Sequence, residues 1–468
     1  MMAPNKTRIA LVNTPLMVGV AHHPLFPPLG LAYMAAVLEQ NGFEIRVYDC
    51  PVCEIDHEKL KSELSSYNPA LIGIGSMTPT IESAFKSARV SKEACPSAKV
   101  IIGGPHVTFM DKETLIEEPA VDVVARGEGE DTILELAQQL PKLARLEEIE
   151  GITFRKNNQI IQNPIRPLIQ NLDALPRPAY KYIPVDKYRV TGRRLLPIMT
   201  SRGCPFACSF CAASQMFGAR FRGRNPQKVL DELEWLRDTY GAEGVAFQDD
   251  TLTFDRKRAV ELFDGMVERG IHLPWGCGTR ADTVTKELLG KMRKAKCDEI
   301  CFGVESGCQR VRDTLKKRVT TEQCKSAIKW AKEEGIFVTV SVILGYPGET
   351  RETLLQTLEF VRQVDPDDVW LCHATPYPGT ELRYLVERNG WKMNNDWKLY
   401  NTMNPIFEDP KLPAEEIAKM RKTFYDRFYS PRYVLRQAIK GYFKGNLYSK
   451  IMARTSINYI LWRAKAGI

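Results

Sequence analysis

The chain has 468 residues, of which 44% are hydrophobic and 26% charged, and its formal net charge is +8. This length exceeds what one hydrophobic core usually serves, so two or three domains are expected, and no apolar run approaches the roughly 20 residues of a membrane span. The first residues enter a strand pattern without a signal-like apolar region, and the twelve cysteines follow no regular framework. These features predict a cytoplasmic protein with thiols or metal thiolates rather than a disulfide scaffold.

Short apolar segments alternate with helix-like segments over the first 145 residues. The predicted strands are 8–12, 44–48, 70–74, 99–102 and 121–124. The predicted helices are 29–41, 59–67, 80–91, a short stretch near 113, and 132–140. Such alternation implies parallel strands joined by crossover helices. The sequence therefore predicts an α/β fold whose first domain, 1–145, is a doubly wound parallel sheet of five strands.

Small and polar residues follow the carboxyl ends of these strands, the edge at which doubly wound sheets bind ligands. The candidate ligand contacts are Thr14, Ser76, Thr78, Gly103, Gly104, His106, Gly127 and Glu128. Glycine and serine often only turn the chain, so the prediction depends on their clustering at one edge. His22, His23 and His106 lie near the same edge, where imidazole can meet a metal or a phosphate, although such histidines are more often loop residues.

A linker, 146–193, is predicted to contain a hairpin formed by 151–154 and 159–161, followed by a proline-rich stretch. Strands and helices then alternate again over 194–385. The predicted strands are 196–200, 244–248, 275–279, 299–304, 337–344 and 369–373. Six such units favour an open, partial (β/α)6 barrel. The last region, 386–468, is predicted to be helical and basic.

Three cysteines follow the first barrel strand within eight residues: Cys204, Cys208 and Cys211. Thiolates at this spacing suit zinc or an iron–sulfur cluster. A structural zinc site needs a fourth ligand, and no second pair of cysteines or histidines follows closely. A four-iron, four-sulfur cluster with one open iron accounts for three ligands, so these cysteines are the predicted metal ligands.

The loop resembles that of the radical S-adenosylmethionine superfamily, which separates three cysteines by three and then two residues, with an aromatic residue, here Phe210, before the last. The resemblance implies that S-adenosylmethionine binds the open iron and is cleaved to methionine and a 5′-deoxyadenosyl radical. It further implies contacts to S-adenosylmethionine from Phe210, Asp249, Asp250, Arg280, Glu305, Ser306 and Gly345. The family usually has Gly-Gly-Glu where this chain has Asp249 and Asp250, which leaves open which aspartate meets the methionyl amino group.

The first domain resembles the cobalamin-binding module of cobalamin-dependent radical S-adenosylmethionine enzymes. The similar segments are 27–31, 103–106, 126–130 and, later in the chain, 376–380. The resemblance implies cobalamin at the ligand edge described above. The Asp-x-His-x-x-Gly signature of proteins that bind cobalt through histidine is absent, so the chain departs from that group.

Together these features predict methyl transfer to an unactivated carbon. Alternatives are a radical cyclase acting on a porphyrin ester, an enzyme that modifies lipids, and a radical enzyme whose first domain binds no cobalamin. Expected partners are a small or lipid-like substrate and an electron donor such as a reductase, ferredoxin or flavodoxin. A zinc-stabilised interaction protein would explain the cysteines but not the other strand-end motifs.

The last 48 residues, 421–468, carry eleven basic residues and one acid, which leaves the rest of the chain nearly neutral. A nearly neutral body argues against a broad nucleic-acid footprint, and no nucleic-acid partner is expected. Aromatic and basic residues alternate in the tail. This pattern is typical of a helical lid packed on the barrel or of peripheral contact with an anionic membrane surface.

Overall fold

The computed structural model describes residues 7–17, 26–140, 145–190 and 192–444. Its first sheet has seven strands in the order β2-β1-β3-β4-β5-β6-β7. The strands are β1 (Arg8–Asn13), β2 (Glu44–Asp49), β3 (Leu71–Gly75), β4 (Lys99–Gly103), β5 (Val123–Ala125), β6 (Ile152–Lys156) and β7 (Gln159–Gln162). The helices are α1 (Leu29–Gln40), α2 (Cys50–Cys53), α3 (His57–Tyr67), α4 (Ile81–Ala94), α5 (Pro105–Phe109), α6 (Asp111–Glu117) and α7 (Glu130–Gln138).

The five predicted parallel strands are confirmed, with apolar cores on both faces of the sheet. The predicted hairpin also forms, and β6 pairs antiparallel with β5. The hairpin is therefore part of the first sheet and not a separate connector. The physical reason is that β5 has only three residues, and β6 satisfies the backbone groups that would otherwise form its open edge.

The second sheet has six parallel strands in the order β15-β14-β13-β12-β11-β8, which confirms the partial barrel. Its strands are β8 (Leu195–Ile198), β11 (Gly244–Phe247), β12 (Trp275–Thr279), β13 (Cys297–Glu305), β14 (Phe337–Leu344) and β15 (Asp368–His373), and a small ribbon pairs β9 (Ser201–Arg202) with β10 (Arg222–Gly223). The helices are α8 (Ala213–Met216), α9 (Pro226–Tyr240), α10 (Arg256–Glu268), α11 (Lys286–Lys294), α12 (Gln309–Thr314), α13 (Thr321–Glu333), α14 (Arg351–Val364) and α15 (Glu381–Arg388).

Polar residues fix where the barrel helices begin. Asp255, Thr285, Thr320 and Thr350 each accept a backbone N–H of the first turn of α10, α11, α13 and α14, respectively. Such caps satisfy amide groups that have no partner within the helix. Because each cap directly precedes a helix, the loops between strands and helices stay short and defined.

Buried ion pairs join the carboxyl edges of the two sheets. Arg202 binds Glu128 at 2.8 Å and also binds Glu130, while Arg222 binds Glu128 at 3.0 Å. The linker adds the hydroxyl of Tyr180, which donates to the carbonyl of Pro197 at 2.6 Å. These contacts hold the ligand edge of the first sheet opposite the cysteine loop of the barrel.

The C-terminal helices α16 (Ala414–Phe428) and α17 (Pro431–Lys444) pack against the barrel core through Ile417, Met420, Phe424 and Tyr433. Arg436 pairs with Asp365, and the Tyr429 hydroxyl donates to Asp368 at 2.6 Å. The helical prediction is confirmed for this part, and 445–468 lie outside the described residues. Among the helices of the described ranges, none has the length and apolar character needed to span a membrane.

Candidate active site between the two sheets

A cavity of about 660 Å³ lies between the carboxyl ends of the two sheets. One wall includes Ser76, Gly104 and Gly127 of the first sheet, and the opposite wall includes Arg202 and Asp250 of the barrel. Both sheets therefore direct their ligand edges into the same space. A ligand held by the first wall lies next to one held by the second.

The first wall is formed largely by backbone. Gly104 has a φ of +119°, and a Cβ there would lie 2.1 Å from the carbonyl oxygen of Ser76. Gly127 has a φ of +76°, which a side-chain-bearing residue rarely adopts. Thr14, Ser76 and Gly103 also line this wall. A bulky ligand can therefore approach the peptide groups closely.

The cavity extends as a slot between the sheet and helices α1 and α7. Leu11, Gly73 and Ile101 line the sheet side, and Met34 and Ile133 line the helix side. A Cβ at Gly73 would lie 3.0 Å from Leu11 Cδ2, so a larger residue would narrow the slot. An apolar slot beside a wall of glycines fits a large cofactor that carries a flat apolar group, such as cobalamin.

His106 and Thr78 lie behind the first wall and do not line the cavity. The Nδ1 of His106 is 3.3 Å from the Thr78 hydroxyl, and its ring meets that of Trp397 edge-on at 4.8 Å between centroids. Burial, with Arg383 nearby, lowers the pKa of His106 to about 4. The imidazole therefore supports the wall from behind. His22 and His23 lie outside the described residues.

Glu128 lines the cavity, but its carboxylate is already engaged. It binds Arg202 and Arg222 and accepts the backbone N–H of Ile169 at 2.7 Å. Burial raises its pKa, but the two arginines outweigh burial and hold the pKa below its ordinary value. The geometry gives Glu128 the role of joining the two sheets, with its oxygens turned toward the arginines.

The three predicted metal ligands lie on one loop after β9, and all are free, partly buried thiols. Cys204 Sγ is 3.4 Å from the Thr251 hydroxyl, Arg280 Nη1 is 3.7 Å from Cys208 Sγ, and the Ala213 N–H donates to Cys211 Sγ at 3.4 Å. Burial raises the pKa of Cys208, and raises that of Cys211 to about 11. Three thiols with donors near their sulfurs fit a cluster ligand set, because metal binding and such donors favour the thiolate form.

The two candidate aspartates have different surroundings. Asp249 is buried and accepts the N–H and hydroxyl of Thr200, at 3.2 and 2.7 Å. Asp250 lines the cavity and accepts the N–H of Gly203, next to Cys204, at 2.9 Å. Burial raises the pKa of both aspartates. Asp250 is thus the one placed to meet a ligand, while Asp249 holds the end of β8.

Arg280 lies beside the cysteine loop. Its guanidinium is 3.6 Å from the ring centre of Phe206, and it donates to Asp282 and to the Lys317 carbonyl. Asp282 neutralises the charge of Arg280. Arg280 in turn contacts Phe206 and Cys208 and so stabilises the conformation of the cysteine loop.

Lys317 forms a buried ion pair with Glu305 at 2.8 Å, and Ser341 donates to the same carboxylate at 2.9 Å. Glu305 has a φ of +64°. Burial lowers the pKa of Lys317, but Glu305 outweighs burial and holds it above the ordinary value. Lys317 belongs to no strand-end motif, because it lies in the loop between α12 and α13, and only folding brings it to the end of β13.

The remaining candidates support the barrel end. Ser306 is fully buried and shares a hydrogen bond with Thr357 at 3.0 Å. Gly345 has a φ of +80°, and its N–H donates to Glu349 at 2.8 Å. Phe210 packs on a small apolar group that includes Tyr346 and Leu382. The structure thus brings the candidates to one barrel end, with Ser306 enclosed.

Two family models match the chain: the B12 binding domain over 17–137 and the Radical SAM superfamily over 198–361. The chain is 35% identical to an uncharacterized methyltransferase of Pyrococcus horikoshii, covering 86% of this chain and 88% of that protein. It is 31% identical to the anaerobic magnesium-protoporphyrin IX monomethyl ester cyclase of Cereibacter sphaeroides, covering 89% of this chain and 69% of that protein. The structure of the methyltransferase TsrM from Kitasatospora setae, with cobalamin and a 4Fe-4S cluster bound, has a similar fold, with a TM-score of 0.70. The two sequences are 19% identical, and the match covers 89% of this chain and 82% of that chain.

Proposed function

The chain belongs to the radical S-adenosylmethionine enzymes that carry a cobalamin-binding domain, and on this premise we propose that it transfers a methyl group to an unactivated carbon of a small molecule. Its cofactors are a 4Fe-4S cluster, S-adenosylmethionine and cobalamin. When bound, the cluster and S-adenosylmethionine supply radical chemistry, and cobalamin supplies a methyl carrier.

The shared cavity is the observation that carries the proposal. Its first wall, at Gly104 and Gly127, suits cobalamin, and its second wall contains Asp250. Asp250 accepts the N–H of Gly203, which directly precedes the predicted cluster ligand Cys204. Neighbouring sites for the two cofactors would let a substrate meet both.

The chain's own residues position the reactants and exclude water. Cys204, Cys208 and Cys211 would hold the cluster, and the buried Glu305 and Lys317 pair would support the end of the barrel. The cavity is lined mainly by apolar side chains and by backbone. Such a lining limits water, which would otherwise intercept reactive species.

Product analysis tests the proposal. The protein is reconstituted anaerobically with iron, sulfide and hydroxocobalamin, then given S-adenosylmethionine and a reductant. We expect bound cobalamin, 5′-deoxyadenosine and S-adenosylhomocysteine, because methyl transfer uses one S-adenosylmethionine as radical source and another as methyl donor. Iron-loaded protein that forms 5′-deoxyadenosine but never binds cobalamin would contradict methyl transfer through cobalamin.

Cyclisation is the second candidate, because a cyclase is among the relatives that match most of the chain. A cyclase needs no methyl donor, so 5′-deoxyadenosine with bound cobalamin but without S-adenosylhomocysteine would favour it. A porphyrin monomethyl ester and a panel of isoprenoid lipids are suitable substrates for this comparison.

Partners and location complete the proposal. A reductase, ferredoxin or flavodoxin would supply electrons, and the protein would be cytoplasmic with peripheral membrane contact through its basic tail. Leu435 and Ile439, one turn apart on α17, are 63% and 50% exposed, which supports such a contact. Flotation with anionic vesicles and with neutral vesicles tests it, and equal partition into both would contradict an electrostatic attachment.

A further inference from the structure

Ser209 lies between two predicted cluster ligands, Cys208 and Cys211, and each of its polar groups has a partner. Its N–H donates to the carbonyl of Leu315 at 3.1 Å, and its carbonyl accepts the N–H of Leu382 at 2.8 Å. Its hydroxyl shares a hydrogen bond of 2.6 Å with the hydroxyl of Tyr346. Three separate parts of the barrel therefore hold one residue of the cysteine loop.

The three partners of Ser209 belong to one apolar group. Leu315, Tyr346 and Leu382 are buried together, and Phe210 of the cysteine loop packs against the same group. A buried hydrogen bond in such surroundings is costly to break, because the freed hydroxyl finds no water. The loop is thus fixed to a packed region and not to mobile surface side chains.

Tyr346 is itself held in place. The carboxyl group of Glu349 accepts the N–H of Gly345 at 2.8 Å and that of Tyr346 at 3.2 Å. Glu349 is 1% exposed. These bonds fix the turn after β14. The Tyr346 hydroxyl therefore has a defined position from which it bonds to the cysteine loop.

We propose that Tyr346 is a positioning residue that acts through Ser209 to set how the cysteine loop presents the cluster to S-adenosylmethionine. The proposal rests on the proposed function, since it requires a cluster at Cys204, Cys208 and Cys211. The Tyr346 hydroxyl bonds to Ser209, which lies between two of the predicted cluster ligands. Its effect is therefore on the affinity of the cluster for S-adenosylmethionine, through the orientation of the loop.

The test uses reconstituted full-length protein carrying Tyr346→Phe, Ser209→Ala or both changes. Each removes the hydroxyl pair while preserving the ring packing or the backbone bonds. The reduced cluster is titrated with S-adenosylmethionine and followed by electron paramagnetic resonance, which reports ligand binding to iron without turnover. Tyr67→Phe is the matched control, because its hydroxyl donates to the Glu44 carbonyl at 3.0 Å in the first sheet.

We expect each single variant to weaken S-adenosylmethionine binding by roughly five-fold, as loss of one hydrogen bond of about 1 kcal/mol predicts. The double variant should be no weaker than the singles, because both remove the same bond. Iron content should match that of wild type and Tyr67→Phe. Unchanged affinity in Tyr346→Phe, or additive losses in the double variant, would overturn the positioning role. If S-adenosylmethionine leaves the spectrum of the wild-type cluster unchanged, the proposed function itself is refuted.

Discussion

The wall of the cavity formed by the first sheet presents glycines and peptide groups, whereas the barrel wall presents the charged side chains of Arg202 and Asp250, next to the cysteine loop. At the first wall, Gly104 leaves room that a Cβ would remove. At the second, Arg202 is held by its ion pair with Glu128, and Asp250 accepts the N–H of Gly203, the residue before Cys204. We therefore expect the first wall to select its cofactor by shape, and the barrel end to select by coordination and charge.

Removing a thiol should abolish the cluster beside the second wall and leave the first wall intact. We expect Cys208→Ala to abolish 5′-deoxyadenosine formation, by at least about a hundred-fold, because a cluster with two thiolate ligands is not retained. Cobalamin binding should persist. Cys53→Ala is the control, since Cys53 is a partly buried thiol on α2. Iron analysis and product assays check both variants, and full activity in Cys208→Ala would exclude it as a ligand.

Breaking the connection between the walls should cost stability. Arg202→Met leaves the buried carboxylates of Glu128 and Glu130 without this partner, so we expect a loss of about 3–5 kcal/mol in the free energy of unfolding. Lys61→Met removes a solvent-exposed pair with Glu93 and should leave the free energy of unfolding almost unchanged. Denaturant unfolding measures both. Equal losses would show that the buried pairs stabilise the fold no more than an exposed pair does.

A single methyl group should damage the first wall selectively. Gly104→Ala places a Cβ against the Ser76 carbonyl and forces a backbone conformation that is unfavourable by roughly 2 kcal/mol. We expect cobalamin affinity to fall about thirty-fold while iron content stays unchanged. Gly290→Ala on α11 meets only ordinary contacts and serves as the control. Spectrophotometric titration with hydroxocobalamin gives the affinities, and a normal value for Gly104→Ala would contradict selection by shape.

A pH series tests the protonation state of Glu349 at the end of the barrel. Burial raises the pKa of Glu349 to about 8 from 4.5, so the folded state retains a proton that the unfolded state releases. Stability from this group is therefore full below about pH 4.5 and is lost as pH rises toward 8. Glu349→Gln should flatten this part of the pH profile and raise the melting temperature at pH 8.5 by a few degrees.

Glu58→Gln, at an exposed position on α3, should retain the wild-type pH profile. The measurement is the melting temperature of each protein between pH 5 and pH 9. A Glu349→Gln profile parallel to that of wild type would show that Glu349 is ionised in the fold at neutral pH.

The sequence alone determined the features that depend on short-range pattern. Strand and helix periodicity predicted both sheets, and Cys204, Cys208 and Cys211 were found because a cluster needs thiols at close spacing on one loop. The strand-end glycines followed from the same logic. Conformational preference and covalent spacing are local properties, so they can be recognised before the chain is folded.

Only the tertiary structure decided how charged and aromatic residues are used. Glu128 pairs with two arginines that follow it by more than 70 residues in the sequence. The His106 ring packs against Trp397 behind the first wall, and Lys317 pairs with Glu305 inside the barrel. It also separated Asp249 from Asp250, which are adjacent in the sequence. The reason is physical: a charge or a polar group is defined by the partners that folding brings to it, and those partners lie far away along the chain.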